Sequence, residues 1–235
     1  MNTAIETQGL AKRYRGKQAL AECTVAVPAG AITGLVGPNG AGKSTFLNLV
    51  TGMLAPSGGS IKVLGQAPGT QLARVGFVAQ DTPVYAGLSI ADHLRLGAHL
   101  NPGWDQSYAQ ERIARLGLDA KQKAGKLSGG QRAQLALTMA IAKRPALLII
   151  DEPVAALDPL ARRGFTDDLT DVARSTGMSV VLSSHLVSDL ERTCDWLIVL
   201  NGGRVRAAGP LRDLLAAHPG QSTEDMVLTY LEKTS

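Results

Sequence analysis

The sequence predicts an α/β fold: a mostly parallel sheet flanked by helices, an antiparallel sheet beside it, and an inserted helical lobe. Three observations predict it. A glycine loop, Gly37 to Thr45, joins a short apolar stretch at 31–36 to a helix-like stretch at 45–50. Leu147, Leu148, Ile149 and Ile150 form an unbroken apolar run, as a parallel strand buried on both faces requires. Between them, from 89 to 145, strand patterning gives way to capped, helix-patterned segments.

The 235 residues, 45% of them hydrophobic, suffice for a substantial core, as one domain or one domain with an inserted lobe. The formal charge of +4 comes without a dense Lys/Arg run, so a mildly basic soluble protein is expected and a nucleic-acid partner is not. Cys23 and Cys194 stand far apart with no metal-type spacing, as free thiols in a reducing cytosol would. Met1 to Glu6 contains no basic segment followed by an apolar one, so no secretory leader is expected. No apolar stretch approaches the ~20 residues of a bilayer span, so work at a membrane would go through a partner.

Residues 3 to 30 alternate apolar and polar positions between turns, which reads as antiparallel strands. Tyr14 lies there, and two readings of it stand open: a ring on a half-buried sheet face, or a ring stacked on a base. The loop that follows fits G-x-x-x-x-G-K-[ST] at Gly37, Gly42, Lys43 and Ser44. Such a loop bends around a polyphosphate with backbone N–H groups inward, and glycines let the main chain come close. Lys43 can reach the β- and γ-phosphates, Ser44 can ligate Mg²⁺, and the following helix turns its positive end toward the anion.

Next come a turn at 56–59 and strands at 60–64 and 75–79. The second strand ends at Gln80, read either as a solvated edge residue or as a Mg²⁺ or water ligand. Ser89 caps a helix to about Leu100, Asn101 to Trp104 break it, and Asp105 caps another ending near Gly117. Leu127, Ser128, Gly129, Gly130 and Gln131 precede an apolar helical run at 135–142. Ser128 and Gln131 have capping-box spacing. The glycines inside that box cost helix stability and leave N–H groups bare, suited to an anion.

The run at 147–150 ends in Asp151 and Glu152, at the C-terminal strand edge where open α/β sheets bind ligands. Successive strand residues point to opposite faces, so the two carboxylates can do different work, one toward Mg²⁺ and one toward an attacking water. An unpaired acidic pair there would be costly as mere structure. Asp158 and Pro159 open a helix ending near Gly177. A buried strand at 178–182 precedes Ser183, Ser184 and His185. Strands at 195–200 and 204–208 flank the hairpin signal Asn201-Gly202, and short helices near 211–217 and 223–232 close the chain.

Taken in order, these segments resemble the ATP-binding subunit of an ATP-binding-cassette (ABC) transporter over nearly the whole chain. Gly37, Pro38, Asn39, Gly40, Ala41, Gly42, Lys43, Ser44 and Thr45 match its Walker A loop. Leu147 to Glu152 match Walker B and its catalytic glutamate, and Gln80 the Q-loop. Leu127 to Gln131 reproduce the signature LSGGQ, far more specific than a phosphate loop alone. Asp158 matches the D-loop, where Ala156 replaces the more frequent Gly, and His185 the switch histidine. Tyr14 fits the adenine-stacking position.

The resemblance implies a P-loop NTPase core with a mostly parallel sheet, an antiparallel β-subdomain and an inserted α-helical subdomain. Residues 1–235 would form one ABC ATPase domain, with core and β-subdomain at about 1–84 and 146–235 and the helical subdomain at about 85–145. It implies Mg²⁺-dependent ATP hydrolysis: Lys43 on the phosphates, Ser44, Gln80 and Asp151 about Mg²⁺, Glu152 on water, His185 at the γ-phosphate. Two chains would pair head to tail on ATP, as homodimer or heterodimer, with Ser128, Gly129, Gly130 and Gln131 of one meeting the nucleotide of the other. The segment Leu88–Asp105 and the short tail look like the bacterial exporter branch, with permease subunits on separate chains and this chain peripheral on the cytoplasmic face. The alternative is a soluble ABC ATPase acting on ribosome or DNA. Two cassettes, long insertions or zinc motifs would mark that class, and none is seen. A P-loop GTPase or kinase has no use for the signature.

Overall fold

The computed structural model describes residues 2–80, 84–152, 157–184 and 187–232. Strands β1 (Thr3–Tyr14) and β2 (Lys17–Pro28) form a long antiparallel hairpin. Strand β3 (Ile32–Val36) leads through the glycine loop into helix α1 (Lys43–Val50). Strand β4 (Gly58–Val63) returns to pair with β1, giving a three-stranded antiparallel sheet ordered β2-β1-β4. Strand β5 (Val75–Val78) then enters the second sheet.

Helices α2 (Ile90–Leu100), α3 (Gln106–Arg115) and α4 (Gly129–Ala142) follow. Ser89 caps α2 in a full capping box with Asp92, and Asp105 accepts the Tyr108 N–H at α3, both as the side chains dictate. Strand β6 (Leu147–Asp151), helix α5 (Pro159–Thr176), strand β7 (Ser179–Ser184), helix α6 (Val187–Glu191), the hairpin β8 (Trp196–Asn201) and β9 (Arg204–Pro210), and helices α7 (Leu211–Ala216) and α8 (Thr223–Glu232) complete the chain.

The second sheet has the order β5-β6-β7-β3-β8-β9, parallel except for β9. Every residue of β3, β6 and β7 is buried, because helices or the antiparallel sheet cover both faces. On one face Leu148, Ile150, Val180 and Leu182 pack with Leu137 of α4 and Phe165 and Leu169 of α5. On the other, Leu35, Ile149 and Val181 meet Phe46 and Leu47 of α1 and Ile5, Leu10 and Val25 of the antiparallel sheet. Helices α2–α4 share their own cluster of Ile90, Leu94, Ala109, Ile113 and Leu135. Each Val, Leu, Ile or Phe among them contributes about 1.5–3 kcal/mol when fully buried. This packing sets the C-terminal ends of β6, β7 and β3 side by side.

Some bounds differ from the expectation. Helix α1 begins at Lys43, two residues early, because the left-handed Gly42 ends the loop and Lys43 is already helical. Strand β4 begins at Gly58, inside the expected turn, since pairing with Ala11 extends it. Helix α6 and single 3-10 turns at Leu72–Arg74 and Ala124–Lys126 are too short to leave a periodic signal.

Candidate nucleotide site

Close packing shapes the loop between β3 and α1. A Cβ on Gly37 would stand 2.1 Å from the Leu200 carbonyl oxygen, and one on Gly42, at φ 108°, 2.7 Å from that of Ala19. Neither distance admits a side chain, so glycine alone lets the loop lie against β2 and β8. The Ala41 carbonyl accepts the Gly203 N–H at 3.0 Å and ties the loop to the β8–β9 hairpin. Pro38, Asn39 and Gly40 are exposed at its tip. Lys43 opens α1, yet only 6% of it is exposed. Its ammonium turns back to donate to the Gly37 oxygen at 2.8 Å and the Pro38 oxygen at 3.4 Å, and stands 3.2 Å from Glu152 Oε1. Ser44 is exposed and Thr45 half-buried in the first turn of α1, whose N-terminus favours an anion.

Asp151 ends β6 directly opposite Ser183 of β7. The acidic pair is not unpaired, contrary to the sequence reading. Ser183 Oγ donates to Asp151 Oδ1 at 2.6 Å and accepts the Glu152 N–H at 3.0 Å. Glu152 takes φ 44°, in the left-handed region, where a non-glycine residue is strained by about 1–3 kcal/mol. The two carboxylates therefore part. Asp151 stays buried at the sheet edge, and Glu152 reaches across to Lys43.

Tyr14, Asn39, Gly40, Gly42, Lys43, Ser44, Thr45, Gln80 and Glu152 line one cleft of about 710 Å³, together with Lys17, Gln18 and Ala19. The β1–β2 hairpin, the glycine loop and the ends of β5 and β6 all contribute to it. Tyr14 is partly exposed at one end, with the Lys12 ammonium 5.3 Å from its ring centre. Among the described residues no group of three or more His, Cys, Asp or Glu could cage a metal ion. The donors present are few hard oxygens: the Ser44 hydroxyl, the Gln80 amide oxygen and the neighbouring carboxylates. That set fits a cation such as Mg²⁺, which keeps waters and takes phosphate oxygens.

The remaining sequence candidates gather elsewhere. Ser128 Oγ accepts the Gln131 N–H at 3.2 Å, and Gln131 Oε1 accepts the Ser128 N–H at 3.0 Å, so the capping box forms. Gly129 and Gly130 make the first turn of α4 and face the start of α5: a Cβ on Gly130 would lie 3.1 Å from that of Ala161. Asp158 caps α5, accepting from the Leu160 and Ala161 N–H groups at 3.0 Å each. These residues do not line the cleft of their own chain. His185 and Ala156 lie outside the described residues.

Two pairings escaped the sequence reading. Ser183 meets Asp151 only through the register of β6 and β7, which no local pattern encodes. Arg112 of α3 is 2% exposed and bonds Thr138 and Gln134 of α4 and Asp168 of α5, at 3.1, 2.8 and 3.2 Å. An arginine on an amphipathic helix reads as solvated until the third helix is in place.

A family model described as ABC transporter matches residues 20–155. The chain is 33% identical over 240 residues to the phosphonates import ATP-binding protein PhnC 2 of Pseudomonas savastanoi pv. phaseolicola, covering 91% of this chain and 87% of that one. It is 36% identical over 215 residues to the Nod factor export ATP-binding protein I of Rhizobium johnstonii, covering 88% and 69%. A solved ATP-binding subunit of an ABC transporter superposes with a TM-score of 0.85 at 28% identity, covering 97% of this chain and 99% of that one. The glycine loop, the acidic strand end and these likenesses agree: the chain belongs to the ABC transporter family, as an ATP-binding subunit that hydrolyses ATP to power transport.

Proposed function

We propose that Mg²⁺-ATP binds in the cleft with its adenine on Tyr14 and its phosphates over Gly37–Thr45. The observation that carries this reading is the convergence of Lys43 and Glu152, 3.2 Å apart, in one cleft with Ser44 and Gln80. Lys43 and the loop N–H groups hold the β- and γ-phosphates. Ser44 and Gln80 would hold Mg²⁺, with Asp151 supporting it. When bound, Mg²⁺ would supply charge neutralisation for the phosphates. Glu152 takes the proton of the attacking water, and His185 contacts the γ-phosphate. Phosphoryl transfer needs positioning and charge neutralisation above all, which this set supplies.

Ser128, Gly129, Gly130 and Gln131 stand outside their own chain's cleft, and in this reading they complete the cleft of a second ATP-binding subunit, identical or related. Asp158, at the neighbouring helix end, sits at the same contact. Residues 85–145 act as a helical subdomain carrying the signature, and 1–84 with 146–235 as the nucleotide-binding body. Among the described residues no helix is long and apolar enough to cross a membrane. In this reading, transport runs through permease subunits on separate chains, with this chain peripheral at the cytoplasmic face. Exposed Met53, Leu72 and Tyr85 rim an apolar groove of about 560 Å³ whose wall includes Phe77 and Val78, just before Gln80. The permease docks there, so occupancy of Gln80 is felt by the membrane subunit. Export is the proposed direction, on the segment Leu88–Asp105, while the relatives named above carry both directions. Phosphate release by the purified chain tests the site. Release should need Mg²⁺ and fall about 10²–10⁴-fold in Glu152→Gln. Equal release by that variant would remove Glu152 from the chemistry.

A further inference from the structure

Ser183 is wholly buried at the end of β7, between Asp151 of β6 and Leu35 of β3. Its hydroxyl carries one proton, and that proton goes to Asp151 Oδ1 at 2.6 Å. Its oxygen accepts the Glu152 N–H at 3.0 Å. The orientation is forced. The Glu152 N–H can only donate, so the serine proton must point to the carboxylate. One hydroxyl thus bridges a side chain and the next residue's backbone, at the point where the chain adopts a left-handed φ of 44°.

We propose that Ser183 is a positioning residue for ATP hydrolysis, a clamp that fixes the Asp151–Glu152 turn. This rests on the reading of Glu152 as the group that activates water. By holding the Glu152 N–H the clamp keeps that residue in its strained conformation, from which the carboxylate reaches Lys43 across the cleft. Without the hydroxyl, a buried N–H and a buried carboxylate oxygen each lose a partner, and Glu152 is free to relax to an ordinary backbone conformation.

The clamp acts on the chemical step and not on nucleotide affinity, since Ser183 does not line the cleft. Partners that orient a site's carboxylates typically cost about 10- to 100-fold when removed. Ser183→Ala is therefore expected to lose kcat on that scale, with KM for ATP and equilibrium binding of a fluorescent ATP analogue weakened by no more than about 3-fold. Added to Glu152→Gln, it should lower residual turnover by no more than about 2-fold, because it acts through a group already removed. Ser183→Thr and Ser183→Val have nearly the same shape and differ in the hydroxyl. Thr should keep most activity and Val should behave like Ala, which separates the clamp from packing even if Ser183→Ala folds poorly. An active Ser183→Val, a full loss on top of Glu152→Gln, or a matching fall in ATP binding would each overturn the proposal. Normal Ser183 variants beside an inactive Glu152→Gln would sink the clamp alone. An active Glu152→Gln would sink the reading beneath it.

Discussion

Lys43 Nζ lies 3.2 Å from Glu152 Oε1 while bonded at 2.8 Å to the Gly37 carbonyl oxygen. In the proposed site, the cation assigned to the triphosphate is thus held by the glutamate assigned to the attacking water. Nucleotide must take the ammonium over, so Glu152 competes with it. Glu152→Gln removes the competing charge, and ATP binding should tighten about 2- to 10-fold, the scale of one net hydrogen bond of about 0.5–1.5 kcal/mol. Equilibrium titration with a fluorescent ATP analogue measures this, and weaker binding by the variant would show that no such competition exists.

Lys43→Ala removes the only side-chain cation of the loop. Hydrogen bonds to charged groups contribute about 1.5–3 kcal/mol, so ATP affinity should fall about 10- to 150-fold. The same titration checks it. Unchanged affinity would mean that the phosphates lie elsewhere.

Arg112 joins three helices through one buried guanidinium, and Asp168 of α5 is the anionic partner recorded for it. Asp168→Ala should lower unfolding free energy by about 1.5–3 kcal/mol, because the arginine stays buried with less compensation. Arg112→Met keeps most of the stem's packing and should cost less than Arg112→Ala. Denaturant unfolding ranks the three, and an Asp168→Ala protein as stable as wild type would make the contact incidental.

Asp92 and Asp105 should make the helical lobe acid-sensitive. Hydrogen bonds from the Ser89 hydroxyl and N–H, with Arg95 beside them, hold Asp92 down to about 2. The Tyr108 N–H and then Arg144 hold Asp105 below the usual carboxylate range. A carboxyl with a depressed folded value stabilises fully above its unfolded value and loses that contribution as pH falls through the folded one. Helix stability should therefore be flat above about pH 5 and decline toward pH 2. Replacing both residues with Asn should flatten the decline, as followed by far-UV circular dichroism during unfolding. An unchanged slope would assign the acid sensitivity to other groups.

Much of this was legible in the sequence, for physical reasons that vary by element. Helices α2, α3 and α5 could be bounded closely because Ser89, Asp105 and Asp158 must satisfy helix N–H groups locally. Strands β3 and β6 were readable because burial on both faces leaves an unbroken apolar run. The phosphate loop was readable because Gly37 and Gly42 have no substitute against the Leu200 and Ala19 carbonyls. The partners of the site were not. Ser183 opposite Asp151, Lys43 against Glu152 and Arg112 beneath α4 all depend on register or packing between segments distant in the chain.

The central claim is that α4 opens a half-site for the nucleotide of another subunit. Ser128 and its glycines open α4 and face the start of α5, away from the cleft formed by Lys43 and Glu152 of the same chain. ATP should then act as an interfacial ligand and shift monomer to dimer by its differential affinity. Ser128→Arg loses the helix cap, worth about 1 kcal/mol, but spares its own chain's cleft. The direct measurement is size-exclusion chromatography with light scattering on Glu152→Gln protein, with and without Mg-ATP, beside the same protein carrying Ser128→Arg. Glu152→Gln alone should form an ATP-dependent dimer, and the double variant should bind ATP as a monomer. A Ser128→Arg protein that still dimerises on ATP, or that loses ATP binding as a monomer, would contradict it.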